Sequence, residues 1–458
     1  MTVPSSPTSE HDRLVEQAAK KAMKRLVPLL LLMYAFAYID RSNVGFAKDE
    51  LSTYVAISDA AFALGASLFF IPYILFEVPS NMFMKKVGAR IWMCRIMVTW
   101  GLASAAMMFV QNEGQFYGLR ALLGLFEAGF FPGAILYLTF WFPDRYRASV
   151  MGLFYIATPL SFIFGSPLSG LLLKFHGLGG LHGYQWMFFI EGVAASAIGV
   201  LAFFYLKDQP KDASWLTGPE KAALQAQIDA EQELKQAHSG ARTFLAAFRT
   251  PTVWYFGLLF LTVQLVAAQV TFYLPTQIAD LLGTSVGLKV GLLVAVPWTC
   301  ALVATVLVPR YASRSGRQRS TACIAGLVAA VGLFLSTITP TGAALAILCA
   351  AIAGLWALQP TFWSLLTDRI GGLAAVTGIA LVNSIGNIGN FLSPNLRTWA
   401  DDHLTGTPGV AIIAVLAVLG ALMFMGVSKA PLEELAEHDL NVPTDAVTVE
   451  GTATRPSA

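Results

Sequence analysis

Runs of about 20 predominantly apolar residues recur roughly twelve times along this chain, at 26–48, 59–84, 90–110, 115–142, 148–174, 185–206, 252–282, 287–311, 319–337, 342–366, 374–399 and 409–427. A helix needs about 20 such residues to cross a hydrocarbon core ~30 Å thick, whereas barrel strands would alternate over about ten. The expected fold is therefore an all-α polytopic membrane protein. Composition agrees: 13% of the 458 residues are charged, against about 25% in soluble domains. So few charges could not cover two or three soluble domains. The four cysteines, Cys94, Cys300, Cys323 and Cys349, all lie in apolar runs without metal-ligand spacing. They read as small buried hydrophobes, and no metal or cofactor is expected. A formal net charge of +2 gives no reason to expect a nucleic-acid partner.

Basic residues orient the chain. Lys20, Lys21, Lys24 and Arg25 precede the first run; Lys85, Lys86 and Arg90 follow the second; Arg145 and Arg147 follow the fourth; Arg310, Arg314, Arg317 and Arg319 follow the eighth. The alternate connections "QNEGQ", "DLLGTSVG" and "STITPTG" carry no Lys or Arg. The positive-inside rule then places both termini in the cytoplasm. The polar start, 1–25, is too long before its first apolar run to be a signal peptide and reads as a cytoplasmic tail. The insert 207–250 separates two six-span halves, 26–206 and 251–427. Its Thr217-x-x-Glu220 is a capping box opening a short helix to about Gln236. The insert reads either as a linker that lets the halves move or as a solvated connector. The end, 428–458, has the composition of a disordered tail. "NMFMKKVGAR" and "PRYASRSGRQR" put basic residues around a glycine after the second span of each half, which is the mark of a duplicated bundle.

Polar side chains inside the spans locate function, because each mid-membrane charge costs roughly 2.5–3.5 kcal/mol on insertion scales. The first half holds the ionisable ones: Asp40 and Arg41 in "YIDRSNVG", Glu77, Arg120, Glu127 and Glu191. The second half offers amides, hydroxyls and aromatics, among them Gln264, Gln269, Gln359, Thr361, Trp363, Ser364, Asn383 and Asn387. Arg120 and Glu127 are seven residues apart, on one face but about 10 Å apart along the axis. Glu127 is therefore expected to find another partner or to hold a proton. Asp40 points about 100° away from Arg41 around the helix. Asp40, Arg41, Arg120 and Glu127 form either a substrate and proton pathway or a cluster that only braces helices. Glu77 and Glu191 are expected near span ends, where water or backbone satisfies them. The second-half amides serve either helix packing or ligand contact.

With these residues in view, the chain resembles a major facilitator superfamily permease of the anion:cation symporter branch, near the 4-hydroxyphenylacetate, phthalate and tartrate permeases. The marks are "YIDRSNVGFA", "EVPSNMFMKKVGAR", "LRALLGLFEAGFFPGAILYLTFWFP", "GYQWMFFIEG" and "LVNSIGNIGNFLSP". The resemblance implies a 12-helix fold of two six-helix bundles around a central cavity. It implies proton-coupled import of an organic carboxylate (an aromatic acid, a dicarboxylate or a sugar acid) by alternating access across the inner membrane. The partners are then a small organic anion, protons and membrane lipid, and the protein is a monomer. Asp40 and Glu127 match the proton-coupling positions. Substrate-binding positions match Tyr38, Arg41, Tyr73 and Arg120 in the first half, with Thr158 near an amide position of sugar-acid carriers. In the second half they match Trp363 and Asn383, with Thr361, Ser364 and Asn387 more loosely placed. The superfamily motif Gly-x-x-x-Asp-Arg-x-Gly-Arg is degraded, with Asn81 and Lys85 at its Gly and Asp positions in one copy and Pro309 and Ser313 in the other. Alternatives are a proton:drug antiporter, an uncoupled facilitator or a membrane nutrient sensor. No nucleophile or metal set marks an enzyme.

Overall fold

The computed structural model describes residues 10–237, 250–369, 374–406 and 408–427. The tail 428–458 and the linker's end, 238–249, lie outside the described residues. Helices dominate, and no strand occurs among the described residues. Among the described residues, eleven helical segments are long and apolar enough to cross a membrane. They are span 1 (Glu10–Val55), span 2 (Asp59–Met84), span 3 (Ala89–Phe109), span 4 (Glu113–Thr139), span 5 (Ile156–Phe175), span 6 (Gly183–Tyr205), span 7 (Pro251–Leu282), span 8 (Leu288–Ser315), span 9 (Gln318–Ile338), span 10 (Thr341–Thr367) and span 12 (Pro408–Gly426). Span 11, Ala374–His403, is long enough to cross as well. Asn383, Asn387, Asn390 and Asn395 dilute its apolar character, yet it packs against span 7 and the start of span 2.

Prolines and glycines set the local geometry of the first half. Span 2 is broken at Phe69, three residues before Pro72, whose ring nitrogen cannot donate into the helical ladder. Span 4 runs as a helix from Glu113 to Glu127, breaks at Ala128–Gly129, and resumes at Phe130. Gly129 adopts φ 85°, a left-handed conformation that favours glycine. A side chain there would also strike Ser80 of span 2. The break leaves Glu127 as the last residue of its helical segment.

The segment expected as a tail before span 1 is helical from Glu10 on, and the whole helix runs 46 residues, about 70 Å at 1.5 Å per residue. Its first turns project beyond the membrane. There Val15, Ala18, Ala19 and Ala22 are buried at helical spacing, against the helix Gly218–Ala237 that carries buried Leu224 and Ile228. Lys21 Nζ donates to both oxygens of Glu220, at 2.7 and 2.8 Å, and Thr217 N–H donates to Glu220 at 2.9 Å. Glu220 thus caps its own helix and ties it to span 1. Burial pushes the Glu220 carboxyl up, but the hydrogen bonds from Lys21 and Thr217 outweigh it and hold the group below the usual glutamate range. Trp141 stacks on Trp215 with centroids 5.4 Å apart, and Glu231 accepts from Asp144 N–H at 2.9 Å. The linker helix is therefore fastened to the first half. We call this side of the membrane the linker face.

The halves meet chiefly towards the opposite face. Gly45 of span 1 lies against the Phe272 carbonyl of span 7, so closely that a Cβ would sit 2.5 Å from its oxygen. Asn395 of span 11 donates to Ser67 of span 2 at 2.8 Å. Phe162 of span 5 stacks on Trp298 of span 8 with centroids 3.7 Å apart. Gly291 of span 8 approaches the Ser166 carbonyl and Gly170 of span 5 the Gly287 carbonyl. These bare helix surfaces let backbones from the two halves touch.

Candidate functional site

The site grows from the middle of spans 1, 2 and 4. Arg41 donates from Nε to Glu127 Oε1 at 2.8 Å, and its Nη2 donates to the same oxygen. Here is the partner that the seven-residue spacing from Arg120 left open. The break after Glu127 gives its carboxylate a fixed place beside span 1. The Arg41 guanidinium also lies over three aromatic rings: Tyr73 at 5.1 Å, Phe69 at 5.3 Å and Tyr38 at 5.6 Å. Those rings stabilise the cation by their negative faces while leaving it few hydrogen bonds. The Arg41 side chain is 18% exposed and Glu127 is 0% exposed. One member of the pair therefore reaches solvent and the other does not.

Asp40 points elsewhere, as its helical angle requires. Ser104 of span 3 donates to its Oδ1, the Trp100 indole stands beside it, and it is 4% exposed. Arg120 is buried against span 2, donating to the Gly65 carbonyl at 3.3 Å and the Ala66 carbonyl at 2.9 Å, with Phe69 at 5.3 Å from its guanidinium. It attracts both Asp40 and Glu127 across the bundle. One oxygen each of Asp40, Glu77 and Glu127 has no hydrogen-bond partner among the described residues. Leaving a buried acceptor unmade costs about 1–3 kcal/mol, so these three oxygens make the region a candidate site.

The second half faces this locus with uncharged groups. Asn383 of span 11 lies within reach of the Glu77 carboxylate, which in turn faces Arg41. Trp363 is half-buried and meets Phe260 edge-on with centroids 5.0 Å apart. Gln359 donates to Gln264 at 3.4 Å, and Asn390 donates to Asn387 at 3.1 Å. Thr361 is buried and bonds the Ala357 carbonyl, Ser364 is half-buried in the next turn, and Thr158 is buried in span 5. Tyr38, Arg41, Tyr73 and Glu127 thus form one cluster. Asp40 and Arg120 form a second layer behind it. Asn383 reaches the cluster from the second half, through Glu77.

Two carboxylates were underestimated from sequence. Glu77 sits one helical turn after Tyr73, on the same face, and that i, i+4 spacing was the available signal. Glu191 is expected near the end of span 6; it lies eight residues into a helix that begins at Gly183. His182 and Gln185 form a capping box there, which identifies the true start. Glu191 is 3% exposed, accepting from Asn43 at 3.0 Å and from Ser169 at 2.7 Å.

A model of the Major Facilitator Superfamily matches residues 30–394. The inner membrane transport protein RhmT of Escherichia coli (strain K12) is 41% identical over 90% of this chain and 95% of its own length. A putative tartrate transporter of Agrobacterium vitis is 41% identical over 92% of this chain and 96% of its own. The putative metabolite transport protein NicT of Pseudomonas putida is 38% identical over 88% of this chain and 92% of its own. Among solved structures, the inward open conformation of the xylose transporter XylE from E. coli superposes with TM-score 0.71 at 17% identity, covering 91% of this chain and 99% of that one. A bacterial homologue of the human lysosomal transporter Spinster gives TM-score 0.67 at 16% identity, covering 90% of this chain and 99% of that one.

Proposed function

Since the chain belongs to the major facilitator superfamily and is a transporter rather than an enzyme, we propose that it is a proton-coupled symporter importing an organic carboxylate across the bacterial inner membrane by alternating access. The observation that carries this reading is the Arg41–Glu127 pair, with a part-exposed cation held by a fully buried carboxylate. An ion pair of this kind is an exchangeable plug. Protonation of Glu127 frees Arg41 for a substrate carboxylate, and loss of that proton restores the pair.

With both termini and the linker face in the cytoplasm, the contacts towards the opposite face belong to the periplasmic side, and this reading takes the arrangement as the inward-facing one. In the outward-facing state Glu127 and Asp40 take protons from the periplasm, and Arg41 pairs with the substrate carboxylate. The loaded site then carries less net charge, so the halves close over it at a lower desolvation cost. On the cytoplasmic side the substrate leaves, the protons follow, and Glu127 recaptures Arg41. Tyr38 and Tyr73 wall the Arg41 side of the site; Trp363, Asn383, Thr361, Ser364 and Asn387 shape the other.

The relatives named for tartrate transport support a carboxylate as cargo. Another relative, 36% identical over 91% of this chain, is named a quinolone resistance transporter, which favours a second reading as a drug exporter. The two differ in the direction of transport and share the engagement of Arg41 by a carboxylate, since a quinolone drug carries one as well. Thermal unfolding of the purified protein against aromatic acids, dicarboxylates including tartrate, and sugar acids tests this. One class should raise the transition in the wild type and not in Arg41→Ala. Equal stabilisation of both proteins would remove Arg41 from the binding site.

A further inference from the structure

The proton site described above uses Asp40 and Glu127, which leaves one buried carboxyl of the first half without a role. Glu191 lies in the middle of span 6 and is almost wholly buried. No Lys, Arg or His forms an ion pair with it among the described residues. Its oxygens accept from two neutral donors on different helices: Asn43 Nδ2 of span 1 to Oε2 at 3.0 Å and Ser169 Oγ of span 5 to Oε1 at 2.7 Å. Asn43 stands three residues after Asp40, one turn on along the same side of span 1. Asp40 and Glu191 are near enough to repel each other when both are ionised.

We propose that Asp40 and Glu191 act as a single carboxyl pair, bridged by the Asn43 amide, and that the proton assigned above to Asp40 belongs to the pair. The physical case is one of charge counting in a dry bundle. Arg120 is the buried cation that attracts Asp40, and it is anchored by the Gly65 and Ala66 carbonyls. Arg41 is engaged with Glu127. Ser104 and Trp100 of span 3 and Ser169 of span 5 carry no charge, and the remaining charged neighbour of Asp40 is the Glu127 carboxylate, which repels it. Arg120 attracts Asp40, and no cation among the described residues acts on Glu191, so the pair supports one negative charge and the second carboxyl keeps its proton. The Asn43 amide carries two N–H donors, so it can bond whichever carboxyl is ionised without rearranging the backbone. The proton steps then belong to the pair and not to either residue.

The pair is useful only within the proton-coupled reading, but it is testable without transport substrate, so the two fail separately. Infrared difference spectroscopy of the purified protein in lipid follows the C=O stretch of protonated carboxyl groups as pH is varied. The wild type should lose two such bands in linked steps, one absent in Asp40→Asn and the other in Glu191→Gln. Glu191→Gln should turn the remaining Asp40 step into an independent single-site titration at a changed midpoint. Should Glu191→Gln fail to fold, Ser169→Ala removes a donor from Glu191 Oε1 alone. It should move the Asp40 midpoint together with that of Glu191, because coupling between sites is reciprocal. An Asp40 band that titrates identically in wild type and Glu191→Gln, or that stays fixed in Ser169→Ala while the Glu191 band moves, overturns the proposal.

Discussion

Replacing Gly45 by alanine tests the closed contact between the halves at its tightest point. The new Cβ would stand 2.5 Å from the Phe272 oxygen and 3.1 Å from its carbonyl carbon. Ordinary contact begins at 3.4 Å, so the shortfall at the oxygen is about 0.9 Å (3.4 − 2.5). The obstacle is backbone, which cannot swing aside as a side chain can. Overpacking of this kind costs about 1–3 kcal/mol. Because Gly45 and Phe272 belong to different halves, the strain is relieved when the halves part at this face. The closed-to-open ratio should therefore fall by roughly 5- to 150-fold. Spin labels at Thr53 and Thr284, in a background with the four native cysteines replaced, report the distance across that face by pulsed electron resonance. Gly45→Ala should shift population from the short distance to a longer one, with helical content unchanged. A distance distribution identical to that of the wild type would refute the reasoning.

Three further outcomes follow from the geometry. Gly129→Ala forces a φ of 85° on a residue with a side chain and drives it into Ser80. It should cost at least about 1–2 kcal/mol, read as a lower thermal transition, and should displace Glu127 and weaken binding of the carboxylate found by ligand screening. Arg120→Met should lower stability by about 1.5–3 kcal/mol through loss of its charge-assisted bonds to Gly65 and Ala66; an unchanged transition would show that those bonds contribute nothing. The Lys21–Glu220 tie has a defined pH dependence. Glu220 is held below its ordinary value of 4.5, so its stabilisation is complete above that pH and disappears as pH falls through the lower folded-state value. Hydrogen exchange of residues 13–22 and 218–231 should be equally protected at pH 7 and pH 5, lose protection at lower pH, and be weakened at all of them by Lys21→Met. Loss of protection between pH 7 and pH 5 would contradict the assignment.

Run length made the spans legible, because it follows from the cost of exposing backbone polar groups to hydrocarbon. Span 11 was readable from its 26-residue run although four asparagines lower its hydropathy. What the run lengths concealed was the outward extension of span 1. The spacing of Val15, Ala18, Ala19 and Ala22 held that signal, but alanines at helical spacing say nothing until a partner helix is known. The site was legible as a set of residue types and not as a set of partners. Asp40 and Arg41 are adjacent in sequence, yet they serve different neighbours, Ser104 and Glu127. The Arg41–Glu127 pair joins residues 86 positions apart, a separation that no local pattern records. The run 185–206 sets the start of span 6 within two residues of Gly183, but it does not record that Glu191 meets Asn43 and Ser169, neighbours that only the fold brings to it.

Proton movement accompanying substrate movement tests the central claim most directly. Proteoliposomes in weak buffer, with no imposed gradient, receive the carboxylate identified by thermal unfolding while external pH is recorded. The account predicts alkalinisation outside in step with uptake by the wild type, and none in Glu127→Gln, which should still exchange internal for external substrate. Uptake by the wild type without any change in external pH, or undiminished alkalinisation by Glu127→Gln, would contradict it.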